Sequence, residues 1–597
     1  MYSPRSVLRF LLMGLASLVA VACGFGPRAA PEVAYVRAHW RTESGALSAE
    51  PEWRKGEVVP PGGRPNPYGL APAELSDSVR RGRRFALDYP VQTTGLQIPF
   101  ATLERTFSPG PKPPALAIVR GAIRQQYGFD TLEGLEHWLG LAPYPNEEGT
   151  GAFFVPFAQG QRPAGAMGRT VFATPVSPGQ SALTYSCAAC HADSFFGRTI
   201  LGMSTRFPRA NDFFMAGAGA MHALPNPLMN EGLGIVRGDV PILRFLKTRT
   251  AAIEGVQPLA LGLDTSLALV GLSLSRRTLG GSAALDPSLQ RRPRDNPLRR
   301  APADSKPAVW WNARYKNRWL SDGSVVSGNP LFTNILWNEL GRGSDLDALA
   351  GWFDDHDEKL RDLTTAVFQA QAPTWFEVFG DRGIDLNEAR RGALVYNRLC
   401  SRCHGSFDKA WDQPGWSHRD LMGLDPEAKA AAARTVLFRP LEQTPVIDVG
   451  TDPMRYLGMK GLVELNELDL SQRFGTVVVP QSGYVPPPLV GIFARYPYLH
   501  NNSVPSLCAL LLPSADRPLS YVARAAVDPE RDFDASCVGY PMGLAVPASP
   551  GSTISEYRVG GPGLSQLGHD EGIFLENGLN QLGSSDRLAL IEYLKTL

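Results

Sequence analysis

One five-residue pattern occurs twice in this chain and constrains it more than any other feature. Cys187-Ala-Ala-Cys190-His191 and Cys400-Ser-Arg-Cys403-His404 both read C-x-x-C-H, the attachment signature of c-type haem. The spacing has a chemical reason. Two thiols three residues apart can each form a thioether to one vinyl group of the same porphyrin, and the histidine that follows then binds the iron as its proximal ligand. C-x-x-C alone also occurs in redox disulfides and as half of a zinc site. A histidine directly after both pairs argues against each, so the chain is expected to carry two covalently bound c-type haems.

Three of the seven cysteines remain. Arg5 and Arg9 precede an apolar run, Phe10 to Ala22, too short to cross a hydrocarbon core of about 30 Å as a helix. A basic start, a short apolar stretch and small residues at its end read as an export signal. The run closes on Ala20-Val21-Ala22-Cys23-Gly24, which resembles a bacterial lipobox with Ala20 where leucine is usual. Cys23 is therefore expected to be lipidated, the alternative being an ordinary residue in an ordinary cleaved signal. Export agrees with the haem motifs, because c-type haem is attached outside the bacterial cytoplasm. Cys508 and Cys537 are left. An oxidising compartment allows them to pair, a bridge that would stabilise the fold by about 3 kcal/mol; two buried free thiols are the other reading.

Hydrophobic residues make up 44% and charged residues 20% of the 597, an ordinary globular balance that excludes a disordered tail, a coiled coil and a polytopic membrane protein. A net charge of +1 offers no electrostatic case for nucleic acid. With 60 glycines and 51 prolines, the expectation is a mainly α fold with extensive loops, built as two c-type cytochrome-like haem domains with large insertions. Residues 1–22 read as a lipoprotein-type signal and 23–68 as a tether and extended lead-in. An N-terminal c-type haem domain is expected over 69–306, an inter-haem connecting region over 307–384 and a C-terminal cytochrome c-like domain over 385–597.

Helical periodicity runs from Leu116 to Leu141, and Leu243 to Leu274 is apolar enough for buried helices. The polar run Asp286 to Pro307 carries Arg291, Arg292, Arg294, Arg299 and Arg300. It reads as a surface connector, with a docking patch for an acidic partner or haem propionates as the alternative. Asp385 followed by Glu388 resembles a capping box that starts a helix running into Cys400. A second amphipathic helix spans Ser585 to Leu597. Together they resemble the two packed terminal helices of the cytochrome c fold.

Function depends on what occupies the far side of each iron, since a second protein ligand favours electron transfer and an open position favours O2 or peroxide. Besides His191 and His404, the histidines are His39, His137, His222, His356, His418, His500 and His569. His500 and His569 sit in Gly- or Pro-flanked loops able to approach a haem, and Met459 is a third candidate. Asp212-Phe213-Phe214-Met215 follows the first motif and supplies both polar and apolar side chains for a distal pocket.

The string Tyr498-Leu-His500-Asn-Asn502-Ser-Val-Pro-Ser-Leu507 resembles the "PYLHNGSVPTL" loop of the bacterial di-haem cytochrome c peroxidase superfamily, with Asn502 in place of glycine. That superfamily includes MauG-like enzymes and the haem-dependent rubber oxygenases of the RoxA type. Trp310-Trp-Asn-Ala-Arg-Tyr315 with Asp322-Gly323, Pro486 to Ala494, and the late Gly568-His569 are most similar to the RoxA-type branch. The resemblance covers roughly residues 70–597. It implies that His569 is the second axial ligand of the second haem and that the first haem is the reactive one. It also implies that His500 is a pocket or inter-haem residue and that a tryptophan among Trp310, Trp311 and Trp319 relays electrons. Trp311 and His500 are the catalytic candidates on that basis; plain packing against porphyrin is the alternative for each tryptophan.

Two readings of function follow. One is a di-haem oxidoreductase, peroxidase or dioxygenase, taking a peroxide or hydrophobic substrate, with cleavage of a polyisoprene-like chain implied by the resemblance. The other is a non-enzymatic electron-transfer cytochrome. Either would work in the periplasm or cell envelope with a small redox protein as donor or acceptor, touching membrane only through a lipid anchor. The chain carries far more protein than two carrier modules require, which favours the enzyme.

Overall fold

Two helix crossings, each closed by a glycine, organise the molecule. In the computed structural model the helix Pro72–Asp88 lies against Asp357–Gln369, and a side chain at Gly82 would meet the Asp362 carbonyl oxygen at 1.9 Å. The helix Leu386–Leu399 lies against the C-terminal helix Ser584–Lys595, and a side chain at Gly392 would meet the Ala589 carbonyl oxygen at 1.9 Å. Only glycine lets the backbones approach so closely. Tyr396 and Tyr593 pack beside the second crossing with ring centroids 5.1 Å apart.

The structure describes residues 57–597 apart from 92–93, 224–233, 254, 291–297, 299–301, 417–420, 543–546 and 550–551, together with the backbone of a strand pair, His39–Arg41 and Leu47–Ala49. The signal segment, Cys23, His418 and the arginines at 291, 292, 294, 299 and 300 lie outside the described residues.

The described chain is mainly helical, with small sheets set into long loops. Periodicity read as helix over 116–141 becomes two helices, Pro114–Tyr127 and Leu132–Trp138, divided where Gly128 turns left-handed at φ 83°. The expected buried helices are Val240–Ile253 and Ser266–Ser275, the second of them buried on nearly every side. Asp385 caps the helix leading to the second motif by accepting from the Asn387 and Glu388 amides at 2.9 and 3.1 Å. The return half of the expected capping box is absent: the Glu388 carboxylate pairs with Arg391 at 2.7 Å, and the Asp385 amide donates instead to Glu592 of the C-terminal helix at 2.8 Å. The cap thus ties the second crossing together.

The first motif is entered differently. A three-stranded antiparallel sheet, Ile98–Pro99, Ser181–Tyr185 and Arg169–Ala173, delivers the chain into Cys187, and a hairpin, Ala192–Phe195 with Arg198–Leu201, carries it away. Ser186 anchors the motif to the end of the first crossing by donating its hydroxyl to the Ala86 and Leu87 carbonyls at 2.9 and 2.8 Å.

Residues 307–384, expected as connector, contribute core residues such as Trp337, Leu363 and Phe368. Both motifs belong to one compact unit spanning Val33–Leu597. Cys508 and Cys537 are joined in a disulfide. Among the described residues no helix is long and apolar enough to cross a membrane.

Candidate haem-binding site

Each C-x-x-C-H motif forms one helical turn. The His191 amide donates to the Cys187 carbonyl at 3.1 Å, and the His404 amide donates to Cys400 at 3.0 Å. Positions i, i+3 and i+4 of such a turn share a face, so each motif presents two thiols and an imidazole together. Both faces line one cavity of about 540 Å³. Burial holds the Cys187, Cys190 and Cys400 thiols up at about 12.

Both proximal histidines are held from behind. His191 Nδ1 lies 2.9 Å from the Ala308 carbonyl, and His404 Nδ1 lies 2.8 Å from that of Pro487. A carbonyl can only accept, so Nδ1 carries the proton and Nε2 keeps its lone pair, the arrangement that orients a metal-binding imidazole. Burial pushes both imidazoles down to about 4, which keeps them in the neutral, ligating form. In the Pro486–Pro488 run the chain has carbonyl acceptors but no amide donors. The neighbouring Pro488 carbonyl takes Asn312 at 3.1 Å and Arg495 at 2.9 Å.

The rings beside the two motif histidines differ. The His569 ring stands 6.2 Å from that of His404, centroid to centroid. Two metal–imidazole bonds of about 2 Å each, plus two ring radii of roughly 1 Å, sum to about that separation. Burial is also the main reason the His569 imidazole falls to about 3, and its buried Nδ1 has no hydrogen-bond partner. The loop that carries it is tightly made. His569 sits at φ 59°, and its amide donates to the Val449 carbonyl at 2.7 Å. A side chain at Gly568 would strike the Val449 oxygen at 2.3 Å. Arg517 clamps the loop by donating to the Gln566 and Gly568 carbonyls at 2.6 and 2.8 Å.

The ring packed against His191 is the Trp310 indole, 5.7 Å away. Among the described residues, the histidines on the cavity wall are His191, His404, His500 and His569, and no methionine lines it. His500 is stacked on Tyr484 at 4.1 Å, and burial pushes its imidazole down to about 3. The remaining described histidine side chains, His137, His222 and His356, do not line this cavity.

Three sequence expectations need revision here. Trp310, not Trp311, is the tryptophan on the wall beside His191: Trp311 is fully buried, donating Nε1 to the Val490 carbonyl at 2.9 Å. Met459 is buried in the core away from the cavity. Asp212 is off the cavity wall, and its helix, Ala210–Ala223, offers Ala210 and Asn211 there instead. Asn211 Oδ1 accepts from Arg342 at 3.2 Å, while Arg342 Nε and Nη1 remain buried without partners.

Charge on the wall was not foreseen. Among the described residues, five cations line the cavity, Lys306, Lys316, Arg342, Arg455 and Arg495, against one carboxylate, Asp264. The residues present fit a c-type haem: paired buried thiols, oriented neutral imidazoles, an orphaned histidine nitrogen, apolar walls from Leu263, Leu331 and Phe368, and excess positive charge.

A family model described as RoxA-like, cytochrome c-like matches residues 483–522. That stretch contains Pro487, Arg495, His500 and Cys508, and it relates this region to c-type, haem-binding cytochromes. The uncharacterized protein y4iM of Sinorhizobium fredii is 40% identical over 230 residues, covering 36% of this chain and 49% of its own length. The uncharacterized protein y4iJ of the same organism is 28% identical over 264 residues, covering 38% of this chain and 41% of its own. The chain thus spans less than half the length of each of these relatives.

Proposed function

We propose that this RoxA-like, cytochrome c-related chain is an exported redox enzyme carrying two c-type haems with divided roles. Cys187, Cys190 and His191 hold the first, and Cys400, Cys403 and His404 hold the second. His569 would serve as the second ligand of the haem on His404, suiting it to electron exchange, while the haem on His191 would be the one left to take O2 or hydrogen peroxide. An asymmetry between the two motifs carries this reading: a second histidine ring stands 6.2 Å from His404, and among the described residues no second histidine ring packs against His191.

Bound haem supplies the one-electron and oxygen chemistry that side chains lack. The chain's own residues do the rest. His191 and His404 bind through Nε2 while Ala308 and Pro487 fix their rings. Leu263, Leu331 and Phe368 exclude water near the first motif. Trp310 provides a polarisable bridge on the wall beside His191. We take 69–306 and 385–597 as the haem-bearing regions, joined by 307–384, with Cys23 as a lipid anchor in the cell envelope.

The RoxA-like match and the apolar wall favour a polyisoprene-like hydrocarbon as substrate. Splitting a carbon–carbon double bond with O2 into two carbonyls is electron-balanced and needs no donor. Reducing peroxide to two waters takes two electrons from a small redox protein. The test is therefore oxygen uptake with polyisoprene in the absence of donor, beside peroxide consumption with a reduced donor, on the holoprotein. Donor-independent uptake with carbonyl products is expected. Neither activity, with both haems present, would leave an electron carrier.

A further inference from the structure

The cavity cations divide into two kinds. Arg455 has its own carboxylate, Asp322, at 3.3 Å, and on the smaller neighbouring pocket Arg206 has Asp193 at 3.0 Å. Among the described residues, Lys306, Lys316, Arg342 and Arg495 have none, and Arg342 donates to Asn211 at 3.2 Å instead. Lys306 Nζ donates to backbone carbonyls, Arg495 at 3.2 Å and Pro497. Arg495 donates to the Pro488 carbonyl and leaves Nε buried without a partner. Among the described residues, the Lys316 ammonium makes no hydrogen bond and no ion pair, yet burial and the charge of Arg495 lower it to about 8. Burial, and then the charges of Arg495 and Arg206, lower Lys306 as well. Three like charges that repel one another in a shielded cavity are costly unless an anion joins them.

Their position indicates which anion. Lys306 stands two residues before Ala308, whose carbonyl orients His191. Arg495 is bonded to Pro488, next to Pro487, whose carbonyl orients His404. Lys306 and Arg495 therefore hang from the two loops that hold the motif histidines, and Lys316 lines the same cavity. We propose that Lys306, Lys316 and Arg495 form a carboxylate site that receives haem propionates from the two attachment motifs and sets the reduction potentials of both irons. This rests on the two-haem reading. Guanidinium is the better partner for a bidentate carboxylate, so Arg495 is the central member and the lysines complete the neutralisation.

The test uses matured full-length protein. Haem per chain is counted first, and two are expected. Reduction potentials of wild type, Arg495→Gln and Lys316→Gln are then titrated spectroscopically, with resonance Raman spectra of the propionate modes. A cation stabilises the reduced, more negative haem, so each substitution is expected to lower at least one potential and shift a propionate mode. Arg495→Lys should restore the potential in large part. Unchanged potentials and unchanged propionate modes in variants that retain their haems would overturn the proposal and point to a free anion instead. If Arg495→Gln does not mature, Lys316→Gln decides alone, since that ammonium bonds nothing among the described residues. A wild-type count of one haem would overturn the two-haem reading separately, and the potential of that haem would still judge the cation site.

Discussion

The two C-x-x-C-H turns are nearly superposable in local hydrogen bonding, yet they sit in different surroundings. The second is entered from a helix, crossed by the C-terminal helix at Gly392, and faced by His569 on a loop that Arg517 and Val449 hold in place. The first is entered from a strand, anchored to a distant helix pair through Ser186, and flanked by Trp310. The attachment chemistry is therefore duplicated while the far side is not. Identical motifs present the same thiol and imidazole groups; the loops brought across from elsewhere differ, and on the proposed reading they set what each iron can do.

The largest effect should come from removing attachment itself. Cys400→Ser with Cys403→Ser should reduce haem from two per chain to one and abolish the low-spin spectrum, and Cys187→Ser with Cys190→Ser should remove the other signal. Pyridine haemochrome assay and electron paramagnetic resonance check both, and equal spectral losses from either pair would break the asymmetry. Next, His569→Ala should convert the second haem from low-spin to high-spin without loss of haem, whereas His500→Ala should leave the spin state unchanged. A low-spin signal surviving in H569A would assign the closing ligand elsewhere.

The scaffold offers a finer comparison. Gly82→Ala and Gly392→Ala each force a methyl group onto a carbonyl oxygen, and each should destabilise by about 3 kcal/mol or more. Thermal unfolding monitored at both Soret signals would read this. Similar losses would show that both regions depend on a glycine crossing, and a loss in only one would sharpen the difference between them. The disulfide closes a segment that packs on the hairpin leaving the first motif, where the Phe196 and Phe533 rings stand 5.7 Å apart. Cys508→Ser with Cys537→Ser should cost about 3 kcal/mol, read by the same thermal unfolding.

Much of the attachment site was legible because its chemistry is local: five consecutive residues name the cofactor and its proximal ligand. The helix into Cys400 and the C-terminal helix were also legible from capping residues and periodicity. What lies across the irons was not, because it is assembled over long separations. His191 takes its carbonyl from a residue 117 positions away and His404 from one 83 away. His569 was reachable only through the resemblance of its Gly-His setting. The choice between Trp310 and Trp311 turns on which neighbour faces the cavity, and alternation in a 3-10 turn gives no sequence signal for that. Lys306, Lys316 and Arg495 look like ordinary surface cations in sequence. Lys306 lies at the end of the arginine-rich Asp286–Pro307 run, whereas Lys316 and Arg495 are dispersed through quieter segments.

Carbon monoxide binding to the dithionite-reduced holoprotein tests the asymmetry most directly. The account predicts a shifted Soret band for half of the haem, one iron per chain, with the other half unmoved because His569 holds it. Binding at neither iron, or at both, would contradict it.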